Sequence, residues 1–141
     1  MKITSKLIHQ IAEELESGMK IYLNRETLEI KSILDWDDSF SDNDFWKEEV
    51  EKIENEWSDY IVLTKMESHE AFKIMENFVD EVNDQRLQED LIKILNRKSP
   101  FANFKDEVET SSYRQQWFDF RIRKYEDYVK ELLEMEDFEI E

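Results

Sequence analysis

In the stretch RKSPFANFKDE (residues 97–107) two phenylalanines and three basic residues surround the only proline of the chain. Arg97, Lys98 and Lys105 can hold carboxylates or phosphates, and Phe101 and Phe104, three apart, would anchor a short helix to the core. Arg114 and Arg121 follow, seven residues apart. Residues 86–124 carry nine Lys/Arg against six Asp/Glu, a surplus of three in a chain of net charge −17, so the remainder is −20. Such an island suits an acidic peptide, a phosphate or an RNA loop, with Phe101 and Tyr113 as stacking surfaces. The competing reading is that these cations neutralise neighbouring acids and helix C-termini.

Other reactive residue types give less. His9 falls on the polar side of a first helix and His69 at a helix start, and neither is spaced to activate a nucleophile. Asp35, Asp37, Asp38, Asp42 and Asp44 could gather calcium. Their loop lacks the sixth-position glycine and the ligand spacing of a calcium hand, so a solvated loop is expected. With 36 acids in the chain no carboxylate pair singles itself out for acid–base work. There is no cysteine, which excludes disulfides, thiolate catalysis and zinc–thiolate sites. The single glycine, Gly18, leaves no dinucleotide fingerprint, phosphate-cradling loop or nucleophile elbow in its usual form. No catalytic, cofactor-binding or metal-binding residue is assigned, no cofactor is expected, and the reading leans away from an enzyme.

The elements that position these residues follow from periodicity. With 141 residues, 40% of them apolar, the chain suits one domain over 1–141. Residues 1–67 read as a helix, a hairpin and a third strand, and 68–141 as helices. Ser5 is a cap for a helix over about 6–17, with Leu7, Ile8, Ile11, Ala12 and Leu15 as its stripe and Gly18 ending it. Met19, Ile21 and Leu23 alternate toward a turn near Asn24–Thr27, and LEIKSI returns. An acidic loop, holding Trp36 and Phe40 against the sheet, leads from Asp35 to a helix starting at Ser41 or Asp42 and reaching about Glu56. DYIVLTK (59–65) is a third strand. Ser68 caps a helix bearing Ala71, Phe72, Met75, Phe78, Val79 and Val82. Asn83 or Asp84 starts the next, with Leu87, Leu91, Ile94 and Leu95. Ser99 and Pro100 open a short helix to about Glu109, so RKSPF is also a helix–helix corner. Ser111 or Ser112 caps a long helix from Tyr113 to about Glu136. Arg114 and Arg121 fall within its apolar face, which predicts that they meet carboxylates, with Asp80, Asp84 and Asp106 as candidates, or helix C-terminal carbonyls, as a clamp between helices or else as a ligand-facing pair.

The segments IMENFVDEVNDQRLQEDLIKIL, PFANFKDEV and YRQQWFDFR resemble uncharacterised protein family 0158, a bacterial family with no assigned activity. The matching positions are Met75, Glu76, Phe78, Val82, Arg86, Leu87, Phe101, Phe104, Lys105, Asp106, Arg114, Trp117, Phe118, Phe120 and Arg121. YLNRETLEI resembles the family's hairpin at Thr27 and Glu29. Glycine is frequent in the family in the loop before FxxF, where this chain has Asn96, Arg97 and Lys98. It is also frequent after the hairpin threonine, where this chain has Leu28. The resemblance implies a fold neighbourhood and a bacterial, cytoplasmic origin, and no reaction.

The sequence therefore predicts an α+β fold: a small antiparallel sheet of about three strands packed with a mainly helical C-terminal half. No apolar run long enough to span a membrane occurs and no signal peptide opens the chain, so a cytoplasmic location is expected. The expected function is a non-enzymatic acidic protein-binding or regulatory module. Its unidentified protein partner would meet Arg97, Lys98, Phe101, Phe104, Lys105, Arg114 and Arg121, or the acidic surface. The alternative is a nucleic-acid-associated protein using the basic island 86–124, which the net charge disfavours. Oligomeric state is not legible.

Overall fold

The computed structural model describes residues 2–34 and 59–141. The chain divides into two compact units, Met1–Lys65 with Tyr125–Glu141, and Met66–Lys124. The described elements are five helices and three strands in an α+β arrangement. The acidic loop from Asp35 and the helix expected to reach Glu56 lie outside the described residues.

The first unit is built on an antiparallel sheet. Helix α1 (Ser5–Glu16) is capped by Thr4, whose Oγ1 accepts from the Leu7 N–H at 3.1 Å. The expected cap, Ser5, is instead the first helical residue, because only an extended residue can turn its hydroxyl back onto the first turn. Ile8, Ile11, Ala12 and Leu15 are buried along the predicted stripe. Gly18 ends the helix with φ +98° and donates its N–H to the Leu15 carbonyl at 3.0 Å. Strands β1 (Met19–Asn24), β2 (Ile30–Leu34) and β3 (Tyr60–Leu63) follow, in the order β2-β1-β3 with both pairings antiparallel.

The hairpin turn is held by Asn24, whose Oδ1 accepts from the N–H groups of Glu26 and Thr27. It closes through Leu28 at φ +62°, a conformation that favours glycine. That is the position after the hairpin threonine where the family resemblance sets glycine. Ile21 and Leu23 are wholly buried on one face of β1, as alternation predicts. Tyr22, on the other face, is buried too, with Ile33 beside it and Tyr60 packed against them.

The C-terminal segment belongs to this unit through named bonds. Ile3 and Ile140 form a parallel bridge, with Ile3 N donating to the Glu139 carbonyl at 2.8 Å and Glu141 N to the Ile3 carbonyl at 3.0 Å. Tyr128 donates its hydroxyl to the Thr64 carbonyl at 2.8 Å, and Arg25 reaches the Glu136 carboxylate at 2.7 Å. Tyr125, Val129 and Leu133 are buried.

The second unit is helical: α2 (Ser68–Val79), α3 (Gln85–Leu95), α4 (Pro100–Glu109) and the first half of α5 (Arg114–Met135). Asp84 caps α3, accepting from the Leu87 N–H at 3.1 Å. At α2 the cap position is Glu67, not Ser68, and it makes no side-chain cap bond. Ser99 does precede Pro100, but at φ +52° it makes no cap bond either. A left-handed residue does not present its hydroxyl to the first-turn N–H groups as an extended cap does. Asn103 ties the corner instead, donating its Nδ2 to the Lys98 carbonyl at 3.1 Å. Ser111 pins the turn before α5, accepting from the Tyr113 N–H and donating to the Val108 carbonyl. The core is aromatic: Phe78 packs on Trp117 and Phe120 with centroids 5.1 and 5.3 Å away, and Phe104 on Trp117 at 5.0 Å.

Candidate functional site

The seven predicted partner-binding residues all lie in the helical unit, but not on one kind of surface. Arg97, Lys98 and Lys105 are exposed. Phe101 is 42% exposed and meets Phe72 edge-on at 6.3 Å. Phe104 is wholly buried against Trp117, so it is a core residue and not part of the exposed surface. Helical geometry explains the split, since residues three apart on a short helix share a face only in part and Phe104 lies nearer its buried side.

The two arginines of α5 differ from each other. Arg114 is exposed, with its guanidinium 5.2 Å from the Phe118 ring centroid. The predicted carboxylate partner does not apply to it, because a guanidinium in water has no desolvation to offset and lies over a ring instead. Arg121 is half-buried, 5.9 Å from the Trp117 ring. Of the three predicted carboxylates, Asp84 is engaged as the α3 cap. The Trp117 indole N–H is buried without a hydrogen-bond partner, which costs about 1–3 kcal/mol. Tyr113, predicted as a stacking surface, is half-buried, and its hydroxyl accepts from the Asn83 N–H at 3.2 Å.

Beside the corner lies a groove between α2 and α3 of about 450 Å³. Phe72, Val79, Ile92 and Leu95 give it an apolar floor, and Lys73, Glu76, Asn77, Asp80 and Asn96 its polar edge. Ile92 is 47% exposed, so the groove and Phe101 together present uncovered apolar surface. The sequence carried a sign of this. The α3 core stripe is Leu87, Leu91, Ile94 and Leu95, and Ile92 falls outside it, beyond its Leu95 edge. An isoleucine there is not explained by the core.

The histidines are both on the surface. His9 Nε2 lies 2.6 Å from a Glu13 carboxylate oxygen and its Nδ1 3.4 Å from Glu126. The hydrogen bond to Glu126, with Glu13 adding its charge, raises the imidazole above its ordinary pKa. His69 stands with Glu67 and Glu70 so that one ligand atom from each lies within 4.8 Å of the others. All three are exposed, and a carboxylate at Glu70 is what the N-terminal dipole of α2 favours without any ion. Among the described residues no helix is long and apolar enough to cross a membrane.

No curated protein and no solved structure matches the chain. A family model described as "Uncharacterised protein family (UPF0158)" matches residues 1–141. The chain belongs to that family, over its whole length.

Proposed function

We propose that the chain is a non-enzymatic protein-binding module of the bacterial cytoplasm, and that its docking surface is the corner Arg97, Lys98, Phe101 and Lys105 with the adjoining α2–α3 groove. One observation carries this: exposed apolar side chains, Phe101 and Ile92, flank an open groove next to unshielded cations. Interfaces combine an apolar centre with a polar rim in this way. Phe104 and Trp117 belong to the same reading as the rigid support beneath.

The test is capture from the native host with tagged wild type beside Lys98→Glu/Lys105→Glu. Both positions are exposed, so the fold is expected to persist. Loss of a captured protein in the variant is the expected result; the same captured material with both baits would contradict it. A nucleic-acid partner is the second reading, favoured by the surplus of three cations over 86–124. It would replace the first if capture depended on nucleic acid and direct binding at about 50 mM salt fell steeply as salt was added.

A further inference from the structure

We infer that the α2–α3 groove is shaped and charged for an amphipathic helix of opposite charge at its two ends, with bases toward Glu76 and Asp80 and acids toward Arg97 and Lys98. This rests on the docking reading above and specifies its partner.

The two walls run in opposite directions. Gln88, near the start of α3, donates its Nε2 to the carbonyl of Val79 at the end of α2, at 3.0 Å. Phe72, near the start of α2, meets Phe101, which follows the end of α3. One end of the groove therefore holds Phe72, Lys73, Leu95 and Asn96. Arg97 and Lys98, exposed, come next in the chain after Asn96, beyond the groove's lining. The other holds Val79 and Asp80, with Glu76 one turn back. Among the described residues, the side chains of Lys73, Glu76, Asp80, Arg97 and Lys98 make no hydrogen bond or ion pair with one another or with any neighbour. Among the described residues, both charged ends thus lack an ion-pair partner.

The length and floor spacing of the groove suit a helix. Phe72 to Asp80 spans about 12 Å along α2, a little over two helical turns. The floor residues of α3, Ile92 and Leu95, are three apart, and those of α2, Phe72 and Val79, are seven apart. An occupant helix with apolar residues at i, i+3 or i+4, and i+7 meets that spacing, as in other helix-in-groove complexes. Charge complementarity fixes the register, because a like charge at either end is repelled.

The experiment uses three synthetic peptides of about 15 residues, long enough to be helical. They share one leucine stripe. The first carries lysines in one half and glutamates in the other, the second lysines only, the third glutamates only. Fluorescence anisotropy reads their binding to the full chain and to three variants. Wild type is expected to prefer the bipolar peptide, and Ile92→Glu to weaken it about tenfold or more. Glu76→Lys/Asp80→Lys makes both ends cationic and should transfer the preference to the all-glutamate peptide. Arg97→Glu/Lys98→Glu should transfer it to the all-lysine peptide. All substituted positions are exposed, and circular dichroism confirms that each variant is folded.

If wild type prefers the all-lysine peptide and Ile92→Glu leaves that binding unchanged, the attraction is only that of a chain of charge −17 and the inference falls. If no peptide binds but Lys98→Glu/Lys105→Glu still loses its captured partner, the helix inference falls and the docking reading stands. If that variant also captures the same material as wild type, both fall.

Discussion

Residues 66–124 carry ten Lys/Arg and twelve Asp/Glu, a net of −2, whereas the other 82 residues carry nine and twenty-four, a net of −15. The interiors differ as well. The sheet unit buries mainly aliphatic side chains, such as Ile3, Ile8, Ile11, Leu15, Ile21 and Leu23, and joins its ends by polar contacts: Arg25 to Glu136, His9 to Glu126, Tyr128 to Thr64. The helical unit packs Phe78, Phe104, Trp117 and Phe120 on one another and sets Arg114, Arg121 and Lys124 over ring faces. A strongly acidic composition favours solubility and repels nucleic acids and other anionic partners. A nearly neutral unit with uncovered apolar side chains beside separated charges is better suited to close association. That contrast supports the proposal of a docking surface on the helical unit.

The largest effect that would sharpen the contrast is in the aromatic core. Phe104→Ala removes a wholly buried ring packed on Trp117 and should destabilise by about 3–5 kcal/mol in urea unfolding. Because Phe104 supports the corner without reaching its surface, binding measured well below the unfolding midpoint should weaken far less than with Ile92→Glu. A smaller effect comes from the sheet unit. At Gly18 a Cβ would meet nothing within 4 Å, so Gly18→Ala tests backbone strain alone and should lose about 1–2 kcal/mol.

Ser99→Gly should act in the opposite direction, raising stability by about 0.5 kcal/mol. It relieves a left-handed serine whose hydroxyl caps nothing. An unchanged or lowered midpoint would mean that the Ser99 conformation is not strained. The smallest effect is a pH dependence confined to the sheet unit. The folded His9 pKa is raised, so its contribution is fully present below about pH 6.5 and is lost as pH rises through the folded value. His9→Gln should remove that dependence and leave peptide binding by the helical unit unaltered.

Much of the fold is legible in the sequence because period and punctuation agree. The α1 stripe, the Gly18 stop, the Asn24 turn and the Asp84 cap each follow from one residue type in one setting. The caps at Thr4 and Glu67 differ by one residue from the serines expected: at α1 two adjacent hydroxyl residues look alike in sequence, and at α2 the extended residue is Glu67, which makes no side-chain cap bond. The candidate site is less legible. FANF suggests two equivalent rings, yet Phe101 is exposed while Phe104 is buried against Trp117 of α5. The spacing of Arg114 and Arg121 suggested burial that Arg114 does not have, since the edge of a wide helical stripe reaches water. The groove needed α2 and α3 to be brought side by side before Phe72 and Ile92 could be read together.

Ile92 and Val62 offer the most direct comparison, because both are apolar and nearly equally exposed, at 47% and 49%, and they belong to different units. A photo-crosslinking amino acid placed at each in turn, in the full chain in living cells, reads which surface meets another protein. A discrete crosslinked adduct is expected from position 92, lost with Lys98→Glu/Lys105→Glu, and none from position 62. An adduct from position 62 with none from position 92 would contradict this expectation and move the interaction to the acidic sheet unit.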